Sequence, residues 1–99
     1  MLISLDEIKL HLRLELGPDS EADPELEAMY STALDYCENF LGRSIPWTSD
    51  NELNPSVRSA MLLIIGDLYE NREARTGGGY SASATVERLL HFHRVGLGI

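Results

Sequence analysis

The run Tyr69-Glu70-Asn71-Arg72-Glu73 is the densest group of side chains in this chain that could support chemistry. Glu70 and Glu73 stand one helical turn apart, a spacing at which two carboxylates could share general acid and base roles. Arg72 lies between them and Arg75 follows, so an ion-pair network at the end of a helix is the preferred interpretation. Such charges need partners, and the run therefore marks a candidate contact surface and not an active site.

The remaining reactive residue types form no catalytic or metal-binding pattern. His91 and His93 are two positions apart, so on a helix they point in different directions and are poorly placed to chelate one metal ion. Cys37 is the single cysteine and lies on an apolar helical stripe, which predicts a buried structural thiol and no internal disulfide. The glycines 77–79 lack the lysine and hydroxyl residue that complete a phosphate-binding loop. The sequence predicts a protein that is not an enzyme, with no catalytic residue, no metal site and no cofactor.

The formal net charge of −8 is concentrated in one part of the chain. Residues 15–38 contain eight acids and no lysine or arginine, whereas the remainder has eight acids and eight bases. Phosphate binding needs clustered lysine and arginine, so this surface is not one around which duplex DNA wraps. It is a solvated face, a surface that attracts a basic partner, or the wall of a channel through which DNA slides without sticking. Its candidate residues are Asp19, Glu21, Glu25 and Glu27.

Four segments with helical periodicity predict a single all-α domain over residues 1–99, a compact bundle of about four helices. The expected helices span residues 4–15, 24–41, 55–75 and 84–93. Ser4 with Glu7 three residues later is a capping box that begins the first helix. Asp23 and Asn54 each precede a proline, which predicts the starts of the second and third helices.

The apolar residues predict how two of these helices pack. The third helix is apolar on almost every side between residues 61 and 65, so its neighbours must bury it. Gly66 in its interior costs up to about 1 kcal/mol relative to alanine, and we expect a close helix–helix crossing there. The first helix carries Leu10, Leu14 and Leu16 beside its main apolar face, which predicts contacts on two sides.

Three further segments have less regular patterns. Residues 76–83 contain three consecutive glycines and predict a mobile loop with Tyr80 near its tip. Trp47 either covers the core or offers an aromatic anchor to a partner. The tail, residues 94–99, has apolar side chains that could dock on a neighbour. The N-terminus lacks the pattern of a secretion signal and no apolar run could span a bilayer, so we expect synthesis in the cytoplasm and no membrane contact.

A family resemblance rests on three segments in a fixed order: Ile3–Arg13, Ala33–Arg43 and Ala60–Ala74. The run 69–73 is the most specific piece, and the closing segment 86–90 also fits. Together they resemble the small head–tail connector, or head-completion, proteins of long-tailed phages, which sit beneath the portal ring.

The resemblance implies a compact helical protomer that forms a homo-oligomeric ring, twelvefold in the virion. It implies docking on the portal protein on one side and attachment of the next head-completion or tail protein on the other. DNA would pass through the channel without specific binding. The protein would be found in the host cytoplasm during assembly and afterwards at the head–tail junction of the virion.

A closed ring needs two different contact surfaces on each protomer, because its contacts run head to tail. We expect these surfaces to include Leu10, Arg13, Tyr69, Glu70, Asn71, Arg72, Arg75, Gly78 and Tyr80. The alternative is a small monomeric helical module, encoded by a phage or prophage, with a regulatory or protein-binding role. A helix-turn-helix DNA-binding protein is disfavoured, because no predicted helix presents a basic face.

Overall fold

The computed structural model describes residues 2–45, 53–71, 84–91 and 93–94. Four helices account for most of them: α1 (Leu5–Leu12), α2 (Ala22–Leu41), α3 (Pro55–Glu70) and α4 (Ala84–His91). No strand occurs within these ranges. The predicted all-α bundle is confirmed, while Trp47, the loop 76–83 and the tail beyond Arg94 lie outside the described residues.

The helix α3 is the centre of the packing, because the two most extensive helix–helix contacts are those that it makes with α2 and α4. Val57, Ala60 and Ile64 are fully buried on it. Within the run 61–65, for which the sequence predicted burial, Met61, Ile64 and Ile65 are fully buried, and Leu63, at 39% exposure, is the exception. The helix α2 supplies the largest facing surface, with its buried residues Leu26, Met29, Tyr30, Ala33, Cys37 and Leu41.

The crossing of α3 with α1 occurs at Gly66, as predicted. A Cβ atom at this position would lie 3.5 Å from His11 Nε2 and 4.0 Å from Leu12 Cδ2. Both are ordinary van der Waals distances. The crossing therefore brings the helices close without requiring glycine for space.

The predicted caps of α1 and α3 are present. The Ser4 hydroxyl accepts a hydrogen bond from the Glu7 N–H at 3.1 Å, and the Asn54 side chain accepts one from the Ser56 N–H at 3.1 Å. The Glu7 carboxylate accepts a hydrogen bond from Arg58 at 2.5 Å, which joins the first turns of α1 and α3. Local capping residues therefore determined where both helices begin.

The predicted end of α1 at residue 15 was wrong, because the chain reverses at Arg13. Arg13 adopts the left-handed conformation, with φ 63° and ψ 37°. Its N–H donates to the Leu10 carbonyl at 3.1 Å, and the Leu14 N–H donates to the Lys9 carbonyl at 2.8 Å. These two bonds are those of a Schellman motif, in which glycine usually occupies the left-handed position.

The predicted start of α2 was also wrong, because Asp19 and not Asp23 caps it. The Asp19 carboxylate accepts hydrogen bonds from the Glu21 and Ala22 N–H groups at 3.0 and 3.1 Å. The Asp19 carbonyl accepts the Asp23 N–H at 2.9 Å, so the turn is already helical before Pro24. The helix begins at Ala22, earlier than the predicted residue 24.

Two more helices, α3 and α4, end earlier than predicted. The helix α3 ends at Glu70 and not at residue 75, and the Asn71 N–H donates to the Asp67 carbonyl at 3.1 Å. The helix α4 ends at His91 and not at residue 93, since His93 and Arg94 donate to carbonyls three residues back in a tighter turn.

Candidate contact surfaces

The last turn of α1 and the segment after it expose two large apolar side chains, Leu10 at 69% and Leu16 at 58%. The opposite side of α1 packs inward, where Ile8 is fully buried and Leu14 packs against the core. Arg13 is exposed at the chain reversal. The predicted two-sided apolar surface of this segment is therefore present at Leu10 and Leu16, whereas Leu14 belongs to the core.

Lys9 fixes the position of this segment against α2. It is the only lysine of the chain and is 3% exposed. Its ammonium group lies 2.7 Å from Asp23 Oδ1 and also donates a hydrogen bond to the Gly17 carbonyl. A buried ammonium group requires such partners, because it has lost its hydration. This role was not predicted from the sequence, in which the only signal was one lysine among apolar and acidic neighbours.

Asp23 is therefore a structural carboxylate and not part of the free acidic surface. The Lys9 ammonium, through a direct hydrogen bond, holds the pKa of the Asp23 carboxyl below its usual value. The hydrogen bond that this carboxylate accepts from the Asp19 N–H, at 3.2 Å, acts in the same direction. Asp19 and Asp23, two of the eight acids in residues 15–38, thus stabilise the start of α2.

The acidic residues predicted as a partner surface are all exposed. Asp19 is occupied by capping, while Glu21, Glu25 and Glu27 lie in and beside the first turns of α2, facing away from the buried Leu26. The helix dipole favours acids at this end of a helix. We call Asp19, Glu21, Glu25 and Glu27 the acidic edge.

The predicted surface at the end of α3 is described only in part. Tyr69 is half-buried and packs against the core, and Glu70 is exposed. Asn71 donates through its side chain to Asp67 Oδ1 at 2.9 Å, so it closes the helix. The other predicted residues, Arg72, Arg75, Gly78 and Tyr80, lie outside the described residues.

A cleft of about 580 Å³ lies between the C-terminal end of α2 and α4. Its lining includes two arginines, one histidine and one glutamate, and consists of Phe40, Ala84, Glu87, Arg88, His91 and Arg94. The Arg94 guanidinium carbon lies 5.0 Å from the centre of the Phe40 ring, within cation–π range. We call this feature the basic cleft.

The basic cleft was not found from the sequence. The spacing of Arg88, His91 and Arg94, one residue every three positions, was the available signal. Phe40 comes from a distant helix, where it stacks on Tyr36 with ring centroids 6.3 Å apart. Nothing in the sequence indicated that these two segments meet.

Two further reactive side chains of the described residues, His93 and Cys37, are occupied or buried. The His93 ring lies 2.7 Å from the Ser56 hydroxyl. Cys37 is fully buried, as predicted, and burial raises the pKa of its thiol to about 12. Histidine, cysteine and acidic residues of the described ranges form no group suited to a metal ion. Within those ranges no helix combines the length and hydropathy needed to cross a membrane.

Comparison with known proteins covers all four helices. The family model described as phage gp6-like head-tail connector protein matches residues 2–94. The head completion protein gp6 of Enterobacteria phage HK97 is 28% identical over 92 residues, which span 91% of this chain and 84% of that protein. The crystal structure of bacteriophage HK97 gp6 is similar with a TM-score of 0.72 and 26% identity, covering 94% of this chain and 93% of that one. Sequence and fold similarity thus extend through the same elements that carry the contact surfaces.

Proposed function

This chain belongs to the family of phage gp6-like head-tail connector proteins, as its sequence predicted, and on that premise we propose that it forms a ring beneath a phage portal. It is a structural protein of head completion. In the proposed assembly the ring is twelvefold, docks on the portal protein, and receives the next head-completion or tail protein on its other side. DNA passes through the ring without specific binding. The protein is made in the host cytoplasm and becomes part of the head–tail junction of the virion.

The match of the family model to residues 2–94 carries this proposal. The contact surfaces give it a physical basis. A ring requires two different surfaces on each protomer, and an apolar surface is expected where a subunit is covered in the assembly. We assign Leu10, Arg13 and Leu16 to one such surface.

We assign a second surface to the end of α3, where Tyr69, Glu70 and Asn71 lie. Residues Arg72, Arg75, Gly78 and Tyr80 follow in the sequence and complete the proposed surface. Replacing Arg72 with glutamate should weaken the ring and leave helix content unchanged, because we assign Arg72 to a contact between subunits.

Native mass spectrometry over a concentration series, with and without the matching portal protein, tests the proposed function. We expect a closed ring of about a dozen subunits, alone or on the portal. A strict monomer that does not bind the portal would reject the ring and favour the monomeric protein-binding module.

Substitutions at exposed leucines test the assignment of the first surface. Leu10→Ser should weaken ring formation at least tenfold, because it removes apolar area that the neighbour covers. Leu63→Ser is the matched control, since Leu63 is also exposed but lies on α3. Circular dichroism should show equal helix content in both variants. A ring that forms equally well in Leu10→Ser would reject this surface and leave the ring itself standing.

A further inference from the structure

Opposite charges lie beside the two ends of α2, and the positive ones come from Arg88 and Arg94, because the helix itself carries no lysine or arginine. The acidic edge surrounds its first turns, and the basic cleft includes Phe40 from its last turn. Arg88 and Arg94 give this cleft two permanent positive charges against the single Glu87. Each copy of the chain therefore carries two complementary surfaces.

These two surfaces cannot meet within one chain. Glu25 and Phe40 lie on one uninterrupted helix, so the rise of 1.5 Å per residue separates them by about 22 Å. An ion pair requires its charged atoms to approach within about 4 Å. The acidic edge can therefore reach a basic cleft only on another copy of the chain.

We propose that the basic cleft of one protomer receives the acidic edge of the next protomer in the ring. This inference rests on the proposed ring and names the chemistry of one of its contacts. Arg88 and Arg94 bind Glu21 and Glu27 of the neighbouring copy, because a guanidinium group matches the planar geometry of a carboxylate. Phe40 holds Arg94 in place across the cleft through the contact between ring and guanidinium.

The geometry of α2 suits a contact that repeats from copy to copy. Head-to-tail rings use two different surfaces that lie on different sides of the protomer. The acidic edge and the basic cleft meet this condition, since the length of α2 separates them. DNA is a less suitable occupant, because the chain has a net charge of −8 and would repel a polyanion.

Reversing the charges on each surface tests this contact. The cleft variant carries Arg88→Glu and Arg94→Glu, and the edge variant carries Glu21→Arg and Glu27→Arg. Each variant alone places like charges at every contact, so its ring formation should fall at least tenfold. An equimolar mixture restores opposite charges at every contact and should form rings in which the two variants alternate. Native mass spectrometry resolves such mixed rings by mass.

Three controls separate the possible outcomes. Ser59→Glu adds a negative charge at an exposed position of α3 outside the cleft, and it should form rings as the original protein does. Arg88→Glu alone keeps the Arg94–Phe40 contact and should show an intermediate loss. Raising the salt concentration should weaken the original ring, because exposed charges are screened.

Rings that form normally in both double variants would overturn this inference and leave the proposed ring intact. Loss of portal or DNA binding in the cleft variant, with rings unchanged, would assign the cleft to that partner instead. Failure of the original protein to form a ring, with and without portal, would reject the proposed function and this contact together.

Discussion

Replacing Lys9 with methionine should destabilise the fold, because Lys9 joins α1 to the segment before α2. Its ammonium group is buried, contacts Asp23 at 2.7 Å and donates to the Gly17 carbonyl. Methionine keeps most of the aliphatic length of lysine and fills irregular space well. The substitution therefore removes the polar contacts and leaves the packing largely unchanged.

The magnitude follows mainly from the bond to Gly17. A hydrogen bond from a charged donor contributes about 1.5–3 kcal/mol, and its loss leaves a half-buried carbonyl without its partner. The Asp23 side chain is 24% exposed, so water partly screens its pairing with Lys9 and this contact adds less. We expect the free energy of unfolding to fall by about 1.5–3 kcal/mol at neutral pH.

Urea unfolding followed by circular dichroism measures this loss at protein concentrations below assembly. The slope of the unfolding free energy against urea concentration should not change, since both proteins expose the same surface when they unfold. Arg13→Gln is the matched control, because it removes one positive charge at an exposed residue of the same helix end and should change stability by less than about 0.5 kcal/mol. If the Lys9→Met protein is equally stable or more stable, the reasoning is refuted. The comparison is a real test, because some buried ion pairs can be replaced by apolar groups without loss of stability.

The pH dependence of the free energy of unfolding gives a second measurement of the contact between Lys9 and Asp23. The pKa of Asp23 is lowered in the folded state from its usual value of 3.8, chiefly by Lys9. Ionised Asp23 therefore stabilises the fold above pH 3.8, and this contribution is lost as the pH falls through the lower folded-state pKa. The stability difference between the original protein and Lys9→Met should narrow over that acidic range.

Three further substitutions or reactions test other parts of the fold. Arg13→Gly should raise stability by about 0.5–1 kcal/mol in urea unfolding, because glycine adopts the left-handed conformation without strain; a loss would show that the arginine side chain contributes. Gly66→Ala should also raise it by about 0.5–1 kcal/mol, since alanine favours the helix and its Cβ meets His11 at an ordinary distance; destabilisation would mean that the crossing has no room. Cys37 should not react with a thiol reagent at pH 8 until the protein is unfolded, because burial raises its pKa to about 12; rapid reaction of the folded protein would contradict its burial.

Features that depend on nearby residues were predicted correctly from the sequence. Ser4 and Asn54 cap the helices that they were expected to cap, because each accepts a hydrogen bond from an N–H only two or three residues away. The burial of Cys37 followed from its position on an apolar stripe. Such features can be predicted without knowing which helices pack together.

The start of α2 shows where this reasoning failed. Asp19 and Asp23 are both suitable caps, and local pattern favoured Asp23 because a proline follows it. In the fold, Lys9 from another helix engages Asp23, and Asp19 takes the capping role. A contact with another helix thus goes with an outcome opposite to the one that the local pattern favoured.

The sequence by itself determined the all-α class, four helices, two of the caps and the membership of the connector family, because these depend on periodicity, short-range hydrogen bonds and segment order. Only the tertiary structure decided that Lys9 is buried, that the chain reverses at Arg13, and that Phe40 meets α4 to form the basic cleft. The physical reason is that each of these features requires groups far apart in the chain, or a backbone conformation that the residue type does not favour. Packing of the helices offsets the unfavourable free energy of these arrangements, and residues close together in the sequence do not indicate which helices pack.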